Sequence, residues 1–263
     1  MIDVAFTPTD AKPADVVVVI DVLRATTTAT QALASGYQRV LCVDSLERAL
    51  RMRARGRVLA GEQHGKMPPG FDLGNSPAEV ARDCGTGELV LATTNGAPTI
   101  VEASHRAPLV LLCCLMNLEA VRSRLGGADV QIVCAGTYGA AALEDVYVAG
   151  RLSAGLTGAR TDAALVAEGL ARSYPSAYEV LAASANAHAL VAAGLGDDIA
   201  FCARESVLDI VPRVERTRPG LAIVVGDDGP AHGTVDGPGN VEDVVVPIEN
   251  PRPRRVSEPQ PTP

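Results

Sequence analysis

Residues 16–28 read Val-Val-Val-Val-Ile-Asp-Val-Leu-Arg-Ala-Thr-Thr-Thr, and this segment constrains the fold more than any other. The apolar run is long enough for one strand and too short to cross a membrane. It shows no polar alternation, so both faces of the strand must be covered, as in an α/β sheet. Asp21 stands where that strand ends, and ligands of open α/β sheets bind beyond the carboxyl ends of the strands. The threonines and the following Ala29-Thr30-Gln31-Ala32-Leu33 read as a helix start whose N–H groups suit an anion. A carboxylate, a guanidinium at Arg24 and a helix N-terminus in one place suggest a metal-plus-phosphate site. The plainer alternative is a capped strand-to-helix turn.

The same alternation runs through the chain. Short apolar segments occur at residues 40–43, 58–60, 89–92, 109–113 and 130–134. Helix-like segments lie between them at 46–54, 77–83, 97–104, 118–125 and 140–154. This order implies βαβ units, hence a layered α/β fold with a mostly parallel or mixed sheet flanked by helices. Residues 162–195 are Ala-rich and helical, with breaks near Pro175 and Gly194. Two further strands are expected at 221–225 and 244–246. The predicted organisation is a main region over 1–212, with a subdomain split near 155 as an alternative, a C-terminal extension over 213–249, and a proline-rich disordered tail over 250–263.

Composition narrows the partners. With 263 residues and 47% apolar side chains, the chain has ample core. Aromatic residues are 3% and the net charge is −8, which argues against nucleic acid and anionic membranes. The N-terminus has no charged-then-apolar leader, so the cytoplasm is the expected location. A homo-oligomer is compatible with the sequence. The six cysteines form no CxxC pair and read as buried thiols. Cys42 and Arg48 match the spacing of cysteine phosphatases, but Asp44 and Glu47 between them would repel both thiolate and phosphate.

Polar motifs recur at the ends of the expected strands. Gly61-Glu62-Gln63-His64-Gly65-Lys66 is one residue short of a nucleotide P-loop, and Met67 replaces the metal-binding Ser/Thr. Glu62 reads instead as a carboxylate at a strand end, and His64 as a solvated loop residue. Phe71–Asn75 leads to Ser76 as a helix cap with Pro77 at the first helical position. Thr94 or Asn95 can cap the helix after residue 92, and Gly96 would let a ligand reach the backbone. Gly136-Thr137-Tyr138-Gly139 repeats the pattern, followed by Glu144 and Asp145. Asp21, Glu62, Glu144 and Asp145 thus form an acidic rim without a Cys/His set, which suits Mg²⁺ rather than Zn²⁺. Neighbours on a helix diverge by about 100°, so Glu144 and Asp145 cannot both face the site, and Asp145 is preferred.

Taken in order, Val-Ile-Asp21-Val-Leu-Arg24-Ala-Thr-Thr-Thr, Gly61-Glu62-x-x-Gly65, Gly70-Phe-Asp72-Leu-Gly-Asn75-Ser-Pro77, Thr93-Thr-Asn95-Gly96 and Cys134-Ala-Gly136-Thr137-x-Gly139-x-x-x-Leu-Glu144-Asp145 resemble the 2-phosphosulfolactate phosphatase family. A weaker match continues to Pro212. The resemblance implies a Mg²⁺-dependent phosphatase that removes phosphate from (R)-2-phospho-3-sulfolactate; its product, sulfolactate, leads toward coenzyme M. Asp21, Arg24, Glu62 and Asp145 are then the expected catalytic residues, with Asp21, Glu62 and Asp145 as metal ligands. Thr26, Thr27, Asn75, Thr94, Asn95, Gly96, Gly136 and Thr137 are the expected contacts to a small anionic phosphorylated substrate.

Two departures bear on the substrate. Asn186, Ala187, His188 and Ala189 supply no fixed charge where basic residues are expected after Ser184, and Gln63 stands where an arginine is expected. An aspartyl-phosphate mechanism would want a carboxylate two residues after Asp21, where Leu23 stands, so activated water is favoured. A divergent anion-binding protein on the same scaffold and a nucleotide-binding enzyme using Gly61–Lys66 are the alternatives.

Overall fold

The structure is a computed structural model and describes residues 1–83 and 85–227. The valine run forms strand β2 (Val16–Ile20), buried along its whole length. Val16, Val18 and Ile20 enter one apolar cluster and Val17 and Val19 another, so both faces are covered as its composition requires.

Eight further strands of the described residues join it: β1 (Ile2–Ala5), β3 (Arg39–Val43), β4 (Arg57–Gly61), β5 (Glu88–Ala92), β6 (Leu109–Cys113), β7 (Val130–Cys134), β8 (Val211–Arg218) and β9 (Leu221–Asp227). Their order across one sheet is β1-β7-β2-β6-β8-β9-β3-β5-β4. β1, β7, β2 and β6 are mutually parallel, as are β3, β5 and β4. The β8–β9 hairpin lies between these two blocks and pairs antiparallel to both.

The helices are α1 (Ala25–Ala34), α2 (Leu46–Arg51), α3 (Pro77–Asp83), α4 (Gly96–Ala103), α5 (Leu118–Leu125), α6 (Leu143–Ala154), α7 (Asp162–Ser173), α8 (Ala177–Ala182), α9 (Ala185–Ala192) and α10 (Asp197–Cys202). Residues of α5 to α10 cover one face of the β1–β6 block. Residues of α1 and α4 fill a second cluster shared by both blocks, joined by β2, β3, β5 and β6. A third, smaller cluster packs Phe71 and α2 against the outer face of β3, β4 and β5. Antiparallel pairing through the hairpin sends the blocks in nominally opposite directions. The sheet twists by about 20–25° per strand, so the five steps from β2 to β5 turn one block across the other. The C-terminal ends of β2 and β5 therefore share one rim, where Gly96 packs on Asp21.

The structure corrects several expectations. The boundary expected at residue 212 falls inside β8, and the hairpin is central to the sheet rather than an appendage. Residues 1–227 lie in one compact unit with no division near 155. β1 escapes the sequence pattern because it is four residues long and includes Asp3, whose carboxylate meets Lys12 and Thr161. The Ala-rich segment divides into three helices, the extra break coming where Ser184 accepts the Ala187 N–H as cap of α9. The strand expected at 244–246 and the tail at 250–263 lie outside the described residues.

This topology predicts that the hairpin is required for folding. A chain cut after Pro212 leaves β6 and β3 as unpaired edges and is expected to lose its cooperative thermal unfolding transition. A cooperative transition with unchanged midpoint, measured by circular dichroism, would contradict the hairpin's central place.

Candidate active site

Asp21 is only 8% exposed at the end of β2. Its Oδ1 accepts the Ala25 N–H at 3.0 Å and its carbonyl accepts the Thr26 N–H at 3.0 Å. The first donors of α1 are therefore answered by Asp21 itself, and the plainer capping role is real. The helix begins at Ala25, which turns the threonine hydroxyls back onto the strand ends. Thr26 Oγ1 accepts the Asp21 N–H and lies 2.8 and 2.9 Å from the carbonyls of Asp21 and Cys113. Thr27 donates to the Val22 carbonyl at 2.8 Å. Both side chains are fully buried, so Thr26 and Thr27, expected to hold substrate, instead lock the turn.

Gly96 likewise serves the protein's own carboxylate. A methyl group there would overlap Asp21 Oδ2 and Ala25 Cβ. Thr93 Oγ1, rather than Thr94 or Asn95, accepts the Ala97 N–H of α4. Gly136 has φ +64°, and its N–H donates to Asp145 Oδ2 at 3.1 Å. Asp145 Oδ1 accepts the Val22 N–H at 2.9 Å. Both Asp145 oxygens thus tie the end of β2 to the end of β7, and Asp145 and Gly136 lie behind the site rather than in it.

A cleft of about 170 Å³ opens at these strand ends. Of the expected residues, Asp21, Arg24, Glu62, Asn75, Thr94, Asn95 and Thr137 line it. Leu23, His64, Tyr138, Asn186, Ala189 and Leu190 complete the wall together with Gly65 and Thr93. Glu62 is held from both sides, by the Thr94 N–H at 2.6 Å and the Gly65 N–H at 2.8 Å. Asn75 is buried with no partner for its Oδ1.

Arg24 forms a buried ion pair that the sequence does not announce. Its Nη1 donates to Asp198 Oδ2 at 2.6 Å, both side chains being 3% exposed. Asp198 Oδ1 accepts the Ser76 hydroxyl at 2.6 Å, and Ser76 Oγ also caps α3 through the Glu79 N–H. Asp198 on α10 thereby fixes the guanidinium, leaving its other N–H groups for an oxyanion. A buried pair of this kind must be complete, since either partner alone would be an uncompensated charge. No local pattern links Asp198 to Arg24, 174 residues away.

The electrostatics are dominated by carboxylates. Burial pushes the Asp21 carboxyl up to about 7; the Ala25 N–H opposes this, the charges of Glu144 and Glu62 add to it, and Arg24 partly offsets them. Burial also raises Asp145, reinforced by Glu144 and Asp21. Glu144, 1% exposed, is raised by burial while Asn186 Nδ2 donates to it at 2.6 Å. Such a cluster favours an added cation. Among the described residues no three His, Cys, Asp or Glu side chains converge to enclose a metal unaided. Mg²⁺ needs only one or two carboxylates when phosphate oxygens and water complete its shell. Asp21 and Glu62, all-oxygen donors lining one cleft, fit that requirement; Asp145, which does not line the cleft, does not.

Other chemistries fit poorly. Burial pushes the Cys42 thiol up to about 12, and Arg48 pairs with Asp44, so the cysteine-phosphatase spacing is a chance match. Residues 63–66 close in a tight turn rather than opening a helix, unlike a nucleotide P-loop. No helix among the described residues is long and apolar enough to cross a membrane.

Carboxylates, one anchored arginine and amide and hydroxyl groups at converging strand ends define a cleft of hydrolase type for a small anionic ester. The chain belongs to the 2-phosphosulpholactate phosphatase family, whose family model matches residues 3–217. A Thermus thermophilus protein described as a probable 2-phosphosulfolactate phosphatase is 42% identical over 218 residues, covering 80% of this chain and 92% of its own. Proteins with the same description from Thermotoga petrophila and Deinococcus radiodurans are 36% and 37% identical, covering 81% and 84% of this chain and 94% and 93% of their own. The name describes a phosphoric monoester hydrolase.

The carboxylate crowding has a measurable consequence. Asp21 titrates higher in the folded chain than its ordinary 3.8, so its ionisation works against folding. The cost is absent below about pH 4, grows with pH and is complete above about pH 7. In buffer free of divalent cations, Asp21→Asn is expected to be more stable than wild type at pH 8, by about 1–2 kcal/mol, and the gap should close toward pH 4. Equal or lower stability of the variant at pH 8, measured by denaturant unfolding, would contradict the crowding.

Proposed function

We propose that the chain is a Mg²⁺-dependent phosphatase acting on the phosphomonoester of a small sulfonated or carboxylated 2-hydroxy acid. The relatives' name points to 2-phosphosulfolactate, with sulfolactate and phosphate as products. The observation that carries this reading is the meeting of Asp21, Glu62 and the Asp198-anchored Arg24 in one cleft of a chain of this family.

Arg24 receives the phosphate, its guanidinium held in place by Asp198 so that little freedom is lost on binding. When bound between Asp21 and Glu62, Mg²⁺ would neutralise phosphate charge and lower the pKa of water. Thr94, Asn95 and Thr137 offer hydroxyl and amide groups to the remaining oxygens. Leu23, Ala189 and Leu190 give the cleft its apolar lining. Water supplies the oxygen that joins phosphorus; the bond from phosphorus to the C2 oxygen breaks, and that oxygen leaves as the hydroxyl of the product. Attack by activated water is preferred to attack by Asp21 itself, because Leu23 occupies the place of the second carboxylate. The reaction calls for no nucleic acid or membrane partner; we place it in the cytoplasm, where sulfolactate is available to coenzyme M synthesis in organisms that make it.

A phosphate-release screen over 2-phosphosulfolactate and other phosphorylated hydroxy acids tests the reading. Release with Mg²⁺ and its loss in EDTA are expected. Arg24→Lys keeps the charge but loses the planar fork, and should lower kcat/KM by about tenfold or more. No release from any ester would favour an anion-binding protein on the same scaffold, and undiminished release in EDTA would exclude the metal.

A further inference from the structure

Two loops reach the mouth of the cleft in the same conformation. In residues 63–66, the Gln63 N–H donates to the Lys66 carbonyl at 2.9 Å and the Lys66 N–H returns to the Gln63 carbonyl at 3.1 Å. In residues 137–140, Thr137 and Ala140 exchange the same pair of bonds at 2.8 and 3.0 Å. The central residues all have left-handed φ: +52° and +76° at His64 and Gly65, +51° and +81° at Tyr138 and Gly139. These are two-residue hairpin turns that demand positive φ at both centres. Glycine meets the demand at the second centre of each, while a bulky ring sits at the first.

That placement is costly for a side chain and persists only where its surroundings impose it. Among the described residues three non-glycines have positive φ, and His64 and Tyr138 are two of them. Cleft residues pin both turns: Glu62 Oε2 accepts the Gly65 N–H, and Asn95 Oδ1 accepts the Tyr138 N–H at 3.1 Å. The two rings then meet across 74 residues of sequence, with His64 Nδ1 3.3 Å from the Tyr138 hydroxyl. Both line the cleft, and Tyr138 as a whole is 67% exposed.

Hydrogen-bonding capacity decides what this pair can recognise. Arg24 is committed to Asp198 and, in the reading above, to phosphate, whereas among the described residues the ring groups of His64 and the Tyr138 hydroxyl are bound to one another only. Whichever way the shared proton lies, the pair keeps a donor for a ligand. With Tyr138 donating to Nδ1, the His64 Nε2–H is free; with the Nδ1–H donating to the Tyr138 oxygen, the Tyr138 O–H is free. A sulfonate presents three acceptor oxygens and no donor, so it matches such a pair. Resting on the functional reading above, we propose that His64 and Tyr138 form the specificity-determining subsite for the sulfonate that the substrate carries beside its phosphate.

The test compares 2-phosphosulfolactate with 2-phospholactate, which lacks only the sulfonate. Tyr138→Phe keeps ring and backbone and removes the hydroxyl; His64→Asn removes the imidazole with a residue that tolerates left-handed φ. The preference in kcat/KM for the sulfonated ester should fall about tenfold in Tyr138→Phe and further in His64→Asn, mainly through KM. A preference that survives in both variants, or a wild type that does not discriminate, overturns the subsite while leaving the phosphatase reading intact. A wild type that releases phosphate from neither ester overturns both.

Discussion

Asp21 brings a charge into a place from which the fold has removed nearly all water. The strand behind it is buried on both faces, Gly96 presses on one oxygen, and the start of α1 draws on the other. Glu144 and Glu62 add their fields, and the carboxyl is pushed up to about 7 as a result. An unrelieved cluster of this kind is a liability for stability, and folds keep such liabilities where they serve a site. The glycine at 96 and the Thr26 hydroxyl hold Asp21 in place, and the oxygens of Asp145 tie the neighbouring strand ends together.

The hairpin makes the arrangement available. Without β8 and β9 the two parallel blocks would have no common sheet, and the strand ends bearing Asp21 and Thr94 would not converge. The second anchor is the buried pair of Arg24 and Asp198, which fastens α10 and the start of α3 to the end of β2. The cleft is thus assembled from four strand ends and closed from outside by helices that belong to the far half of the chain.

Much of this was legible in the sequence. Unbroken valine and leucine runs identify buried strands, because only a sheet covered on both sides accepts them, and the polar residues directly after those runs identify the rim. β8 was not legible: Pro212 and the charges at Arg213, Glu215, Arg216 and Arg218 resemble a boundary, whereas its half-exposed and exposed positions tolerate them. The site was legible in its acids and in Arg24, but the division of labour among them was not. Thr26, Thr27, Gly136 and Asp145 proved to be braces, since their polar atoms are taken by backbone partners that only the fold supplies. Asp198 was invisible for want of any local pattern. His64 and Tyr138 left a faint trace, each standing directly before a glycine between residues that pair, but their meeting required the structure.

The central claim of the proposed function is that Asp21 is a ligand for Mg²⁺. Calorimetric titration of Mg²⁺ into wild type and Asp21→Asn, both at pH 7.5 in the same buffer, tests it most directly. The account predicts saturable binding to wild type and a loss of affinity of at least about tenfold in the variant, whose fold is retained. Equal affinity in the two proteins, or no binding to wild type with phosphate present, would contradict it.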